Sequence, residues 1–221
     1  MNIILFALCF ILSCFMLYVL VKHDFVLARK SLLLSEVFDT TFLGYIVFFF
    51  TARTFYIVGT LKFQLFQMAS FFHIFRFPGL LFLGGVLGFA LFAYFMFARR
   101  RILKRLLDIY SLSMLPILFF ALLTSYQKGY FFLFNVLIFL LSCLFLGIGI
   151  YSYKNYTLKD GTTALLCLCL VSIYTILSEF SSSTKVIMSL FTLPQFFAFG
   201  IFIASAIILL VYEGLISYSN K

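Results

Sequence analysis

The chain has 221 residues, of which 65% are hydrophobic and 10% are charged, and its mean hydropathy is +1.18. A soluble domain of this size cannot bury so much apolar surface, so a lipid bilayer must solvate much of the chain. The net charge of +9 does not indicate nucleic-acid binding, because the basic residues lie between apolar runs, as membrane topology requires. The five cysteines lie inside apolar runs without nearby ligand-forming side chains, so we expect no disulfide, metal site or cofactor.

Seven apolar runs follow one another along the chain and predict membrane-spanning α-helices. The first run favours a retained helix over a cleaved signal peptide, because no basic segment precedes it and the run is long for a signal sequence. The fourth run is short and contains Pro116, which predicts a kinked or tilted helix. The predicted spans are residues 2–21, 41–58, 79–98, 109–124, 130–153, 162–180 and 187–212.

Two connecting segments differ from these spans in composition. Residues 22–39 are polar and predict a linker between the first two spans. Residues 61–77 mix charged and amide side chains with aromatic residues, which indicates a segment lying in the membrane interface. The chain is therefore predicted to be a single all-α integral membrane domain, a bundle of seven transmembrane helices.

The basic residues predict the direction of this bundle. Eleven of the sixteen lie in the odd-numbered loops or at the C-terminus, four lie in the opposite loops, and Arg53 lies within a span. Because cytoplasmic loops carry the excess of Lys and Arg, the N-terminus is expected outside and the C-terminus in the cytoplasm. The eleven residues are Lys22, Arg29, Lys30, Arg99, Arg100, Arg101, Lys104, Arg105, Lys154, Lys159 and Lys221.

Polar side chains from five segments share one depth under this topology, near the outer leaflet. Ionisable groups at membrane depth usually face protein or a water-filled cavity, so the set predicts a pocket able to hold a phospholipid headgroup. The alternatives are that Arg53 extends to the outer surface or pairs with Glu179, that Gln195 satisfies a carbonyl freed by Pro194, and that Asn135 bonds across helices. His73, in interfacial sequence, favours an ordinary headgroup-level residue. The set consists of Arg53, His73, Asn135, Glu179 and Gln195.

Gly84, Gly85 and Gly88 open the third predicted span. The spacing of Gly84 and Gly88 is typical of close helix packing. Because Gly84 and Gly85 have no side chains, a lipid could also approach the helix backbone there, which adds both residues to the candidate lipid-binding set. The spacing by itself favours packing.

Several of these features occur in a particular order. Arg53 lies in ARTFYIV (52–58); PGLLFLGG (78–85) opens a span that ends in FARR (97–100), before Asp108; and Gly161 opens a span that ends in Glu179-Phe180, before Gln195. The ordered set resembles the prolipoprotein diacylglyceryl transferase family, membrane enzymes that move diacylglycerol from phosphatidylglycerol to a lipobox cysteine. The resemblance covers about residues 2–212. It implies seven helices with the N-terminus outside, phosphatidylglycerol as a ligand, and a prolipoprotein signal peptide as a partner.

The chain departs from the family pattern at the positions that carry the family's catalytic chemistry. Leu83 stands at the position of the motif histidine. The Arg-x-Gly-Asn signature expected after Asp108 is absent, and so is the external segment that follows it. Thr175 and Ser182 align with two arginines that flank the family's Glu-Phe motif. Thiol activation and stabilisation of a departing glycerol phosphate need such groups, so we expect little or no catalysis.

The sequence therefore predicts a shortened transferase-like protein of the bacterial cytoplasmic membrane that keeps an outer-leaflet phospholipid pocket. One alternative is a divergent but working transferase that uses Arg53, His73 and Glu179. Another is a small transporter or a structural membrane subunit. A transporter needs a continuous polar path across the membrane, and the inner halves of several spans contain no polar residue to build one.

Overall fold

The computed structural model is all-α over the part of the chain that it describes: residues 3–22, 24–30, 32–59, 71, 80–98, 102–124, 130–155, 158–180 and 192–213. These residues form eight α-helices and no strand. The helices are α1 (Ile3–Lys22), α2 (Phe25–Arg29), α3 (Leu34–Gly59), α4 (Phe82–Phe97), α5 (Leu103–Thr124), α6 (Tyr130–Asn155), α7 (Thr162–Phe180) and α8 (Leu193–Glu213).

A helix lies at each of the seven predicted spans, and α5 continues through Pro116. The predicted linker over residues 22–39 is wrong in part, because it contains α2 and the first turns of α3. Glu36 lies in the first turn of α3, where a negative charge stabilises the helix dipole. The hydroxyl of Thr41 donates to the carbonyl of Val37, and Val37 is fully buried. Polar residues thus extend α3 before the apolar run. The predicted interfacial segment, 61–77, lies outside the described residues apart from Phe71.

Among the described helices, α3 and α8 are long and apolar enough to cross a membrane. Only 22% of the most apolar part of α3 and 17% of that of α8 are buried, whereas a core helix of a soluble protein would be mostly buried. Large apolar side chains on both helices are exposed, among them Phe42, Ile46, Phe196 and Phe199. Such surfaces mark contact with a membrane or a partner protein. The structure thus supports two candidate spans, and the seven-span bundle stays a prediction.

The chain divides into two compact units. The first unit contains Met1–Leu34, Ile102–Leu170 and Ala204–Lys221, and the second contains Ser35–Arg101 and Val171–Ile203. In the first unit α5 packs against both α1 and α6. Its apolar core includes Leu17, Leu106, Ile109, Leu112 and Leu115, each at most 1% exposed. In the second unit α4 packs against α3, with Phe89 and Ala93 of α4 buried.

Candidate functional site

Arg53 is the most deeply buried charged side chain described in the second unit. It lies in the C-terminal half of α3 and is 0% exposed, and its guanidinium carbon is 5.8 Å from the centre of the Tyr56 ring. The alternative that Arg53 extends to bulk solvent is therefore wrong. A cation inside an apolar helix is expensive to bury and is usually kept for binding or transport.

The glycines of α4 lie directly against side chains of α3. A Cβ atom added to Gly84 would lie 2.5 Å from Cβ of Phe55, and one added to Gly85 would lie 2.6 Å from the ring of Phe48. One added to Gly88 would overlap the side chain of Thr51. The amide of Leu81 also donates to the carbonyl of Ala52 at 3.0 Å. The predicted close helix packing is confirmed, and side chains of α3 fill the space in which a lipid would approach these glycines.

Gln195 connects the first turn of α8 to α7 within the second unit. Its side-chain oxygen accepts from the Thr192 amide at 2.8 Å, and its side-chain nitrogen donates to the Ile176 carbonyl at 3.1 Å. Gln195 is buried, so these bonds satisfy polar groups that water cannot reach. Gln195 thus connects two helices, and the carbonyl that it satisfies belongs to Ile176 of α7 and is not one freed by Pro194.

The remaining predicted site residues are only partly covered by the structure. Leu83 is 1% exposed and belongs to the apolar core of the second unit. Asn135 and Glu179 lie in α6 and α7, but their side chains are outside the described residues, as is the whole of His73. The structure therefore assigns Arg53 and the glycines to the second unit, and the pairing of Arg53 with Glu179 stays a prediction.

An ionic cluster in the first unit, buried except for its exposed member Asp160, was not predicted from the sequence. Arg105 of α5 donates from Nε to Asp24 at 2.9 Å and from Nη1 to Asp160 at 3.2 Å. Tyr153 of α6 donates its hydroxyl to the same Asp24 carboxylate, and its ring centre lies 3.8 Å from the Arg105 guanidinium carbon. Asp24 and Arg105 are each 3% exposed. We call Asp24, Arg105, Tyr153 and Asp160 the ionic cluster.

Asp24 also begins α2. Its Oδ1 accepts from the amides of Val26 and Leu27 at 2.8 and 3.1 Å, while Oδ2 faces Arg105. An aspartate at this position satisfies amides that have no partner within the helix. One carboxylate thus caps α2 and pairs with a cation of α5, so it fixes the start of α2 relative to α5.

Asp108 makes a second connection in the first unit, between α5 and the start of α7. Its carboxylate accepts from the amide of Gly161 at 2.6 Å and from that of Ala164 at 2.8 Å. Gly161 has φ +100°, a conformation that side chains disfavour, so a glycine suits the turn. Burial raises the pKa of Asp108 to about 6, although the two amides and Arg105 act to lower it.

The Asp108 carboxyl predicts a pH-dependent stability. Its pKa is raised in the folded state, so between its unfolded value of 3.8 and about 6 the folded protein binds the proton more tightly. The contribution of this group to stability is therefore greatest below pH 4 and is lost as the pH rises through 6. We expect the difference between the melting temperatures at pH 5 and pH 7.5 to be larger in the wild type than in Asp108→Asn.

The matched control for that measurement is Asp39→Asn, because Asp39 is an exposed carboxylate on α3. This variant should keep the wild-type pH dependence. An Asp108→Asn protein that responds to pH as the wild type does would show that Asp108 is already ionised at pH 5.

Two residues at motif positions of the predicted family resemblance touch each other in the first unit. Asp108 follows the basic cluster and Gly161 opens the sixth predicted span, and the Asp108 carboxylate accepts from the Gly161 amide. Arg53 and Gly84, two further motif positions, both lie in the second unit. No protein-family model matches the sequence, and neither a curated protein nor a solved structure matches it.

Proposed function

We propose that the chain is a multi-pass protein of the bacterial cytoplasmic membrane, with seven spans, the N-terminus outside and the C-terminus in the cytoplasm. Three observations support this proposal: a helix at each predicted span, the exposed apolar faces of α3 and α8, and the excess of basic residues on one side. Apolar side chains on an outer helix surface are stable when the solvent is lipid.

We further propose that the protein binds an anionic phospholipid of the outer leaflet through Arg53. The observation that carries this proposal is that α3 holds the Arg53 cation away from water inside an apolar helix. A planar guanidinium recognises phosphate oxygens through paired hydrogen bonds, which offset the cost of keeping the charge away from water. Phosphatidylglycerol is the ligand that the family resemblance implies.

The proposed role is binding without diacylglyceryl transfer. Transfer to a cysteine requires a base near the thiol and cations at the departing glycerol phosphate. Leu83 replaces the motif histidine and is buried among apolar side chains, so it supplies neither a base nor a hydrogen bond. Arg53 alone provides charge for holding a phosphate but no group for moving a proton.

The test is lipid retention by the purified protein. Wild-type protein in mild detergent, titrated with phosphatidylglycerol, should retain this lipid in native mass spectrometry in preference to phosphatidylcholine. Arg53→Gln should weaken retention roughly tenfold or more, because a hydrogen bond to a charged group is worth about 1.5–3 kcal/mol. Arg53→Lys should retain an intermediate amount. Arg29→Gln is the control, since Arg29 is an exposed arginine of α2.

The same protein should be incubated with phosphatidylglycerol and a lipobox peptide. We expect no lipidated peptide. A lipidated product that disappears in Arg53→Ala would instead establish a working transferase, with His73 and Glu179 as the next residues to replace. Equal lipid retention by the wild type and Arg53→Gln would refute the headgroup role, and a stoichiometric protein partner would then favour a structural subunit.

A further inference from the structure

Two lysines of the first unit converge on one tyrosine. Lys104 of α5 donates from Nζ to the hydroxyl of Tyr212 at 3.1 Å, and its Nζ lies 4.5 Å from the ring centre. Lys159, which precedes α7, donates from Nζ to the Tyr212 carbonyl at 2.6 Å and lies 5.6 Å from the same ring centre. The Tyr212 hydroxyl donates to the carbonyl of Asp160 at 3.0 Å, which fixes the ring. We call Lys104, Lys159 and Tyr212 the lysine pair site.

The carboxylates near this site are engaged by other residues. The Asp160 carboxylate pairs with Arg105, and the Glu213 carboxylate accepts from the hydroxyl of Thr162. Among the described residues, neither Lys104 nor Lys159 forms an ion pair with a carboxylate. Two exposed ammonium groups held at one tyrosine repel each other weakly, and an anion beside them offsets that repulsion.

The position of the site indicates which anion fits. Tyr212 lies in the last turn of α8, a candidate membrane span, and the charge distribution predicts this end to be cytoplasmic. Tyrosine is enriched where a span meets the headgroup layer, and lysines there attract the anionic lipids of the cytoplasmic leaflet. Lys104 binds the hydroxyl end of Tyr212 and Lys159 binds its backbone carbonyl, so a phosphate at this level lies in the field of both ammonium groups, while its acyl chains lie along the exposed apolar face of α8.

We propose that the lysine pair site binds the phosphate group of an anionic phospholipid of the cytoplasmic leaflet. Lys104 and Lys159 supply the charge, and Tyr212 holds both ammonium groups in position. The site is separate from the outer-leaflet role of Arg53: it rests on the membrane embedding that we propose, but not on Arg53.

The experiment compares two double variants of the full chain in detergent. Lys104→Gln with Lys159→Gln removes the site, while Lys22→Gln with Lys154→Gln removes two exposed lysines from the same predicted side. Lys22 also lies over a tyrosine ring, at 5.3 Å from the centre of Tyr18, which makes the control a close match. Each protein is titrated with phosphatidylglycerol and, separately, with inorganic phosphate. Native mass spectrometry measures lipid binding, and thermal unfolding measures stabilisation by phosphate.

We expect the site variant to bind phosphatidylglycerol about 25-fold more weakly than the wild type, since each lysine near an anionic lipid contributes about fivefold. The affinity of the control variant for phosphatidylglycerol at this site should stay within about twofold of the wild-type affinity. Tyr212→Phe should weaken binding less, because the ring remains while the hydroxyl contact to Lys104 is lost. Native mass spectrometry counts the lipids bound per protein, so Arg53→Gln should lose the phosphatidylglycerol of the outer leaflet and keep the one at the lysine pair site, which separates failure of the two proposals.

The outcomes decide between the sources of the phosphate. Selective loss of phosphatidylglycerol binding supports a lipid site. Stabilisation by inorganic phosphate that only the site variant loses, without a change in lipid binding, would assign the same residues to a soluble phosphate compound and overturn the lipid assignment. Equal losses in both double variants would show a general attraction to charge and would overturn the site itself.

Discussion

Replacing Arg105 with methionine should lower the free energy of unfolding by about 3–5 kcal/mol, because breaking a buried ion pair leaves an uncompensated charge. Asp24 is 3% exposed and would lose its Nε partner, and Asp160 would lose its Nη1 partner. The stacking of the guanidinium on Tyr153 would be lost as well. Denaturant titration in detergent micelles, followed by circular dichroism, measures the change.

Arg29→Met is the control for this prediction, since Arg29 is an exposed arginine expected to contribute less than about 1 kcal/mol. A second variant, Asp24→Asn with Arg105→Met, should recover part of the lost stability, because the asparagine removes the buried charge and can still cap α2. Equal stability of Arg105→Met and the wild type would contradict the structural role of the ionic cluster.

Replacing Gly84 or Gly88 with alanine should destabilise the second unit by about 1–3 kcal/mol, the usual cost of adding a group to a filled core. The new Cβ at position 84 would lie 2.5 Å from Cβ of Phe55, an atom fixed to the backbone that cannot rotate away. At position 88 it would overlap Thr51. Helices α3 and α4 must therefore separate. The melting temperature in detergent measures the effect.

Gly200→Ala is the matched control. Gly200 also lies within an apolar helix, but an added Cβ there has nothing within 4 Å, so the substitution should be neutral or stabilising, as alanine favours helix. If Gly84→Ala were as stable as Gly200→Ala, the close contact between α3 and α4 would not contribute to stability. Loss of phosphatidylglycerol retention without loss of stability would instead give Gly84 a role in lipid binding.

The helices could be predicted because long apolar runs leave few alternatives in a bilayer. The start of α3 could not, since polar residues near a helix start suit a linker equally well, and only the burial of Val37 shows that α3 already packs there. The glycine spacing predicted a close contact correctly, but it could not say that Phe48, Phe55 and Thr51 fill the space.

As with the helices, some features of the candidate sites could be predicted from the sequence and others could not. A lone arginine within an apolar run predicted an intramembrane charge; the structure shows that Arg53 is buried, and its location in a membrane stays a prediction. The ionic cluster could not be predicted, because Arg105 lies in a run of basic residues that membrane topology alone explains. The carboxylates on the same predicted side were the available signal: Asp24 and Asp108 each lie within three residues of a lysine or arginine, and Asp160 lies between Lys159 and Gly161. Sequence spacing alone could not show that Asp160 and Asp24, which lie 55 and 81 positions from Arg105, meet at its guanidinium.

The ionic cluster has a consequence for how the protein is made. Asp24 precedes Arg105 by 81 residues and Tyr153 by 129. At a synthesis rate of about 5–20 residues per second, its carboxylate waits roughly 4 to 16 s for its cation. In the proposed membrane topology, the end of α1 must stay at the hydrated membrane surface during that time, because a charge without its partner is costly in an apolar environment. Assembly of the first unit is therefore ordered in time, and α1 reaches its final environment only after α5 has been translated.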